Sequence, residues 1–105
     1  MAMGLCESVY ALAHKLPQDE KYALSDQLRR AVVSIPSNIA EGNGRGTPKD
    51  YAHFLSIARG SLFEVRTQLE LAERLGYFTV SEDLAAQIES ISKMLFSMIR
   101  KIGNV

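Results

Sequence analysis

The chain has 105 residues, which predicts one domain over residues 1–105 that can bury a core without disulfides or a metal. Hydrophobic residues make up 47% of it, which excludes a disordered chain, and 12 basic residues balance 12 acidic ones, so no global positive field recruits nucleic acid. With a single cysteine, no signal peptide and no apolar run near the roughly 20 residues that span a bilayer, the sequence predicts a cytoplasmic protein without membrane contact.

Four segments of the chain repeat apolar residues at intervals of three and four, the period of a helix with one buried face. Breaks that contain Pro or Gly separate these segments at residues 16–19, 42–48 and 76–79. No segment alternates apolar and polar residues over the length of a strand. Because short connections make neighbouring helices antiparallel, the pattern predicts an all-α fold, an antiparallel up-and-down four-helix bundle. The repeating positions are Leu5, Val9, Leu12 and Leu16, then Leu24, Leu28, Ala31, Ile35 and Ile39, then Leu55, Ala58, Leu62, Val65, Leu69 and Ala72, then Leu84, Ile88, Ile91, Leu95, Met98 and Ile102.

The residues at the helix ends agree with these boundaries. Thr47 followed by Pro48 predicts the N-cap and the first residue of the third helix. Thr79 fits the capping box of the fourth helix, and Ser81 is a rival cap. Gly76 lies where a helix end favours a left-handed residue.

Two residues break the helical pattern and predict local features. Pro36 removes the backbone hydrogen bond to the carbonyl of Val32, which predicts a helix that is kinked but continuous. Gly60 costs a helix roughly 1 kcal/mol relative to Ala. We therefore expect another helix to approach closely at Gly60, where a Cβ would clash.

The sequence contains no recognisable catalytic or metal-binding pattern. A di-iron bundle needs Glu-x-x-His on two helices, and the nearest match, Asp50-x-x-His53, occurs once. The glycine-rich run at 42–47 lacks the Gly-Lys-Ser/Thr ending of a phosphate loop, and Cys6 has Glu7 beside it and no base. We expect no catalytic residues, no metal, no other cofactor and no small-molecule substrate, and so a protein that is not an enzyme.

A polar stripe is the strongest candidate for a binding site. Its members on the second helix are spaced four, four, three and four residues apart, so they share one face. Residues 29–59 carry an excess of positive charge, and the start of the third helix beside Arg45 and Lys49 fits a weak anion site. The stripe has two interpretations. It is either a polar helix face that is solvated or joins two helices through a polar network, or it is a surface that contacts a ligand or RNA. The candidate residues are Arg30, Ser34, Asn38, Glu41, Arg45, Lys49, Arg59 and Glu64.

The predicted hairpin of the second and third helices brings members of this stripe face to face. A turn at residues 44–47 places Arg30 opposite the neighbourhood of Glu64, and Ser34 near Arg59. We therefore expect an ion pair between Arg30 and Glu64 across the two helices.

Several large apolar residues fall outside the buried stripes. One bundle core can absorb some of them, and the remainder would be exposed in a monomer, which indicates self-association. These residues are Val33, Phe54, Phe63, Leu71, Phe78 and Phe96.

Long stretches of the chain resemble a known family. The runs from Leu28 to Arg45 and from Phe54 to Glu64, together with Leu75-Gly76-Tyr77, are similar to the bacterial four-helix-bundle family named for proteins encoded in 23S rRNA intervening sequences. The resemblance extends from about Leu5 to Ile102, and the family is sometimes labelled ribosomal protein S23, a name that describes gene location more than activity. The hallmark positions of the family correspond here to Arg30, Ser34, Pro36, Asn38, Glu41, Gly42, Arg45, Arg59, Gly60, Ser61 and Glu64.

The resemblance implies a small bundle that assembles into rings of five subunits. A related branch, the accessory proteins of diversity-generating retroelements, is basic and binds nucleic acid, whereas this chain has zero net charge. We therefore expect a non-enzymatic homo-oligomer, a pentamer by resemblance, with RNA or a ribonucleoprotein as the leading partner. The alternative is a scaffold or adaptor that binds only proteins. The salt dependence of binding distinguishes the two, since phosphate contacts weaken steeply as salt rises.

Overall fold

Four α-helices follow one another along the chain: α1 at Ala2–Ala13, α2 at Asp26–Gly44, α3 at Pro48–Arg74 and α4 at Glu82–Gly103. A computed structural model describes the backbone of residues 1–103, and the side chains of these residues except at positions 21, 22 and 103. Each helix packs against the next, and α1 also contacts α4, which closes the bundle. The predicted all-α four-helix bundle is confirmed, and the described residues contain no strand.

The predicted apolar stripes form the core. Every predicted position of α3 is buried, and so are the first four positions of α4. Leu12, Ile39, Met98 and Ile102 pack against the core but are only partly buried, because they lie towards the helix ends. The buried set is Leu5, Val9, Ala13, Leu24, Leu28, Ala31, Val32, Ile35, Leu55, Ala58, Leu62, Val65, Leu69, Ala72, Leu84, Ile88, Ile91 and Leu95.

The connection between α1 and α2 differs from the sequence pattern. The first helix ends at Ala13, before the predicted Leu16, because Pro17 disfavours helical backbone in the residue that precedes it. A 3₁₀ turn at Gln18–Glu20 and a π-helical turn at Lys21–Ser25 then lead into α2. The hydroxyl of Tyr77 donates a hydrogen bond of 3.0 Å to Glu20, which ties this connection to the turn between α3 and α4.

The helix caps follow the sequence with one correction. The Thr47 hydroxyl accepts a hydrogen bond from the Asp50 amide at 3.2 Å, with Pro48 as the first residue of α3. The cap of α4 is Ser81, whose hydroxyl accepts from the Leu84 amide at 3.1 Å, so the capping box at Thr79 is not used. Gly76, just after α3, has a φ of 82°, the left-handed conformation that was predicted.

Helix α2 continues through Pro36 from Asp26 to Gly44, as predicted. The carbonyl of Val32, which cannot bond to the proline nitrogen, accepts a hydrogen bond from the Cys6 thiol of α1 at 3.3 Å. Burial, and then the neighbouring Glu7 carboxylate, raise the pKa of the Cys6 thiol, which keeps it in the protonated form that donates. A side chain from a different helix thus satisfies the carbonyl that the proline leaves without a backbone donor.

The glycine that marks a close helix contact is Gly42, and the prediction for Gly60 is wrong. A Cβ on Gly60 would meet nothing within 4 Å, since this residue is two positions from the buried Ala58 and faces outwards. A Cβ on the buried Gly42 would lie 2.7 Å from the Cβ of Phe54 and 3.1 Å from Cδ1 of Tyr51. Helices α2 and α3 therefore approach most tightly at Gly42, next to the turn that joins them.

The two glycines make a matched test. Gly42→Ala should lower the free energy of unfolding by about 1–3 kcal/mol, because the Cβ of Phe54 is fixed to its backbone and cannot move aside easily. Gly60→Ala should raise it by about 0.5–1 kcal/mol, because it removes the cost of glycine in an exposed helix. Urea unfolding followed by circular dichroism measures both, and equal gains for the two variants would contradict the close approach at Gly42.

The thiol contact predicts a coupling between Cys6 and Pro36. Cys6→Ala should destabilise the protein by about 1 kcal/mol when Pro36 is present, because the buried carbonyl of Val32 loses its partner. In a Pro36→Ala background the amide of residue 36 donates to that carbonyl, so the same change should cost less. A double-mutant cycle on unfolding free energies should give a coupling of roughly 0.5–1 kcal/mol. A cost that is the same in both backgrounds would show that the thiol is not the carbonyl's partner.

Candidate functional site

The polar residues predicted on α2 lie along one side of the helix and mostly bond to the helix itself. The Ser34 hydroxyl donates to the carbonyl of Ala31 at 2.8 Å, and the Asn38 amide donates to the carbonyl of Ser34 at 2.7 Å. Arg45 forms an ion pair of 2.8 Å with Glu41, one turn before it, and both side chains are exposed. These are the contacts of a helix face that water covers, and they leave little hydrogen-bonding capacity directed at a ligand.

The expected ion pair between Arg30 and Glu64 does not form. Arg30 lies 3.9 Å from Asp26, one turn away on the same helix, and its side chain is 79% exposed. Glu64 accepts a hydrogen bond of 3.2 Å from the side-chain amide of Gln68. Each residue finds a partner one turn along its own helix, which avoids extending a long side chain between helices. An exposed pair of this kind contributes less than about 1 kcal/mol.

The Arg59 side chain contacts α4 through Phe96, and its expected proximity to Ser34 stays a prediction. The guanidinium carbon of Arg59 is 4.7 Å from the centre of the Phe63 ring and 5.0 Å from the centre of the Phe96 ring, which belongs to α4. Lys49 is exposed in the first turn of α3. The candidate stripe is therefore not one surface, because Arg59 belongs to a second one.

That second surface is a group of three arginines and two phenylalanines, the Arg–Phe cluster: Arg59, Phe63, Arg66, Phe96 and Arg100. Arg66 lies 5.0 Å from the centre of the Phe63 ring, and Arg100 lies 5.8 Å from that of Phe96. Within the described residues none of the three arginines pairs with a carboxylate. Phe96 is still 46% exposed with two arginines beside it.

The packing of Arg59 explains how the cluster is held. Its Nε atom is buried between the helices and has no hydrogen-bond partner within the described residues. The guanidinium group is held by the faces of two aromatic rings, an attraction worth about 0.5–2 kcal/mol depending on exposure. The aromatic rings thus position the guanidinium group of Arg59, which forms no ion pair with a carboxylate of the described residues.

The sequence pattern marks Arg59, Phe63 and Phe96 separately, but it marks neither Arg66 nor Arg100 and does not predict that the five residues associate. Phe63 and Phe96 were noted only as apolar residues outside the core stripes. The spacing within each helix indicates which arginines lie beside which ring, because residues three and four apart are neighbours on a helix. Arg59 and Arg66 flank Phe63 at those spacings, and Arg100 follows Phe96 by four.

Charge is distributed unevenly along the bundle, although its net charge is zero. Lys101 and Ile102 line a groove together with Gly46 and Pro48, so the end of α4 lies beside the α2–α3 turn. We call residues 41–66 and 93–103 the hairpin end. It carries seven basic residues against three acidic ones, whereas the rest of the chain carries five against nine. The basic residues are Arg45, Lys49, Arg59, Arg66, Lys93, Arg100 and Lys101, and the acidic ones are Glu41, Asp50 and Glu64.

An apolar groove lies between α1 and α2, beside the polar residues of α2, since Tyr10 and Val33 also line a pocket with Ser34. Met3, Tyr10 and Val33 are exposed along it, and Cys6 and Pro36 line its floor. Among the apolar residues outside the stripes, Phe78 packs against the core and Phe54 and Phe63 are partly buried. The residues left exposed are Val33, Leu71 and Phe96.

No three His, Cys, Asp or Glu side chains among residues 1–103 lie close enough together to hold a metal ion. No helix in this range combines the length and the apolar composition needed to cross a membrane.

Residues 1–97 match the model of a family described as 23S rRNA-intervening sequence protein. The chain belongs to the 23S rRNA-intervening sequence protein family. A similar solved structure is that of a protein with unknown function from the S23 ribosomal protein family of Bacteroides thetaiotaomicron VPI-5482. It is 27% identical, with a TM-score of 0.84, and the likeness covers 94% of this chain and 91% of that one. No curated protein matches the chain.

The match to the 23S rRNA-intervening sequence protein family includes most of both candidate surfaces. The polar residues of α2 lie within residues 1–97, as do Arg59, Phe63, Arg66 and Phe96. Arg100, the last member of the Arg–Phe cluster, follows the matched range. The resemblance noted in the sequence is thus confirmed at the level of family and fold.

Proposed function

We propose that this protein is a non-enzymatic, cytoplasmic, self-associating bundle that binds RNA through its hairpin end. The observation that carries the proposal is the set of three arginines in the Arg–Phe cluster, which lie against aromatic rings and form no ion pair with a carboxylate of the described residues. A ribonucleoprotein would be bound in the same way, through the phosphates of its RNA. The single cysteine, a neutral thiol, suits a reducing compartment.

Unpaired guanidinium groups are suited to phosphate. Arginine presents planar hydrogen-bond donors that match a phosphate oxygen pair and stays charged at all physiological pH values. The rings of Phe63 and Phe96 hold the arginines in place, so less side-chain entropy is lost when a phosphate binds. The polar residues of α2 contribute less to the proposal, because Arg45 and Arg30 already have carboxylate neighbours.

The salt dependence of the RNA affinity should report how many of these arginines contact a phosphate. Three phosphate contacts on a single strand predict about a twentyfold loss of affinity for a fourfold rise in salt concentration. Charge reversal of the exposed Arg66 and Arg100 to Glu should reduce the slope of log affinity against log salt by at least about 1.4. Fluorescence anisotropy with a labelled RNA at several salt concentrations measures both quantities.

The matched control reverses two exposed arginines away from the cluster, Arg30→Glu with Arg74→Glu, which changes the net charge by the same amount. This control should keep most of the affinity and the full salt slope. An equal loss in both double variants would mean that only net charge matters. Absence of binding by the wild-type protein would contradict RNA as the partner.

A protein scaffold is the second candidate function, and the α1–α2 groove favours it. The groove exposes Met3, Tyr10 and Val33 and contains few charges, which is the composition of the centre of a protein interface. Under the main proposal a second copy of the chain covers this groove. Under the scaffold alternative a different protein does, and binding responds little to salt.

Self-association has a direct measurement. Light scattering coupled to size exclusion should give a multiple of the 11.6 kDa chain mass, and the family resemblance suggests five copies. Val33→Asp places a charge in the groove and should lower the mass, since burying an unpaired carboxylate opposes association. Ser90→Asp, which adds the same charge on an exposed part of α4, should leave the mass unchanged. A monomer at micromolar concentration would contradict self-association, whereas another number of copies would contradict only the pentamer.

A further inference from the structure

We infer that the Arg–Phe cluster binds unpaired bases of single-stranded RNA, with the exposed part of the Phe96 ring as the stacking surface and the arginines on the adjacent phosphates. The inference rests on the RNA binding proposed above. It adds the form of RNA that is recognised and the atoms that recognise it.

The first argument is the exposure of an aromatic ring on a rigid element. Phe96 is 46% exposed in the middle of α4, two turns before the described end of that helix. A phenylalanine has no polar atom, so water gains nothing from contact with its ring, and covering the ring is favourable. Because every base has a flat π face, a base stacked on such a ring contributes about 1–3 kcal/mol whatever its identity.

The second argument is the alternation of rings and positive charges. Arg59 lies against both rings, Arg66 lies against Phe63 only, and Arg100 lies against Phe96 only. Bases and phosphates also alternate along an RNA strand. A strand that stacks a base on Phe96 therefore places its flanking phosphates near guanidinium groups, and the guanidinium plane of Arg59 is itself a surface on which a base can stack.

The third argument separates a single strand from a duplex. In an A-form duplex the base faces are stacked inside, so a convex helical surface meets phosphates, 2′-hydroxyl groups and base edges but no open base face. A duplex would use the arginines and leave Phe96 in water. A single strand uses the arginines and covers the ring as well. The chain has no net positive charge to supply affinity by electrostatics alone, so the stacking contribution decides between the two forms.

The test compares two labelled probes, an oligouridylate strand and an RNA duplex of equal length. Phe96→Leu keeps an apolar side chain but removes the flat ring. It should weaken binding of the single strand by about five- to a hundredfold, the loss of one stacked base, and leave duplex binding unchanged. Leu75→Ala is the control, because Leu75 is 52% exposed but lies just after α3, outside both the Arg–Phe cluster and the α1–α2 groove. It should leave both affinities unchanged.

A second measurement needs no variant. A strand that contains 4-thiouridine, irradiated in complex with the wild-type protein, should crosslink to the peptide that carries Phe63 or Phe96. Crosslinks confined to other peptides would overturn the stacking assignment.

The outcomes separate this inference from the proposed function. If neither probe binds, RNA binding itself fails. If the duplex binds as tightly as the strand and Phe96→Leu has no effect, whereas reversal of Arg66 and Arg100 still weakens binding, RNA binding stands and stacking is overturned. If Phe96→Leu lowers the mass seen by light scattering, this face is an interface between copies, which overturns the inference as well.

Discussion

The close approach of α2 and α3 at Gly42 is the constraint on which the rest of the structure depends. The absence of a side chain there lets the backbone of α2 come against Phe54 and Tyr51, and a methyl group would not fit without displacing them. The Thr47 cap then starts α3 a few residues later. Together they fix how two long helices align, and the alignment places the end of α4 beside the α2–α3 turn, where positive charge collects.

Pro36 imposes a second constraint, a carbonyl without its backbone donor, and a residue of α1 supplies the missing hydrogen bond. A proline inside a helix costs about 3 kcal/mol when nothing compensates for the lost hydrogen bond. Here the thiol of Cys6 donates to the free carbonyl of Val32, so the short helix α1 is joined to α2 by a polar contact as well as by apolar packing. The raised pKa of that thiol favours a structural donor over a nucleophile.

The helices and the core were predictable because burial follows from periodicity, and the spacing of Leu55, Ala58 and Leu62 fixes which side of α3 faces inwards. The spacing does not fix which neighbouring helix is contacted by a residue at the edge of the buried face. The sequence therefore predicts Arg59 of α3 beside Ser34 of α2, whereas its guanidinium group contacts Phe96 of α4. The sequence places Gly42 in a turn and predicts a contact at Gly60, because a sequence shows a glycine but not the backbone that approaches it. Association within the Arg–Phe cluster depends on Arg59 of α3 lying against Phe96 of α4 as well as against Phe63, and no local pattern encodes the contact between the two helices.

Zero net charge argues against nucleic-acid binding only if the charge is spread evenly. The bundle is 46 Å long, whereas electrostatic interactions in water are screened over about 8 Å at physiological salt. A phosphate at the Arg–Phe cluster therefore responds mainly to the charges beside it, which are the three arginines and the acidic residues Glu70, Glu73 and Glu89 that line a groove with Arg66. The same screening limits the distance over which the basic residues of the hairpin end attract a phosphate. Under the proposal, affinity comes from groups in direct contact, which are the three arginines and two aromatic rings of the Arg–Phe cluster rather than the net charge of the whole chain.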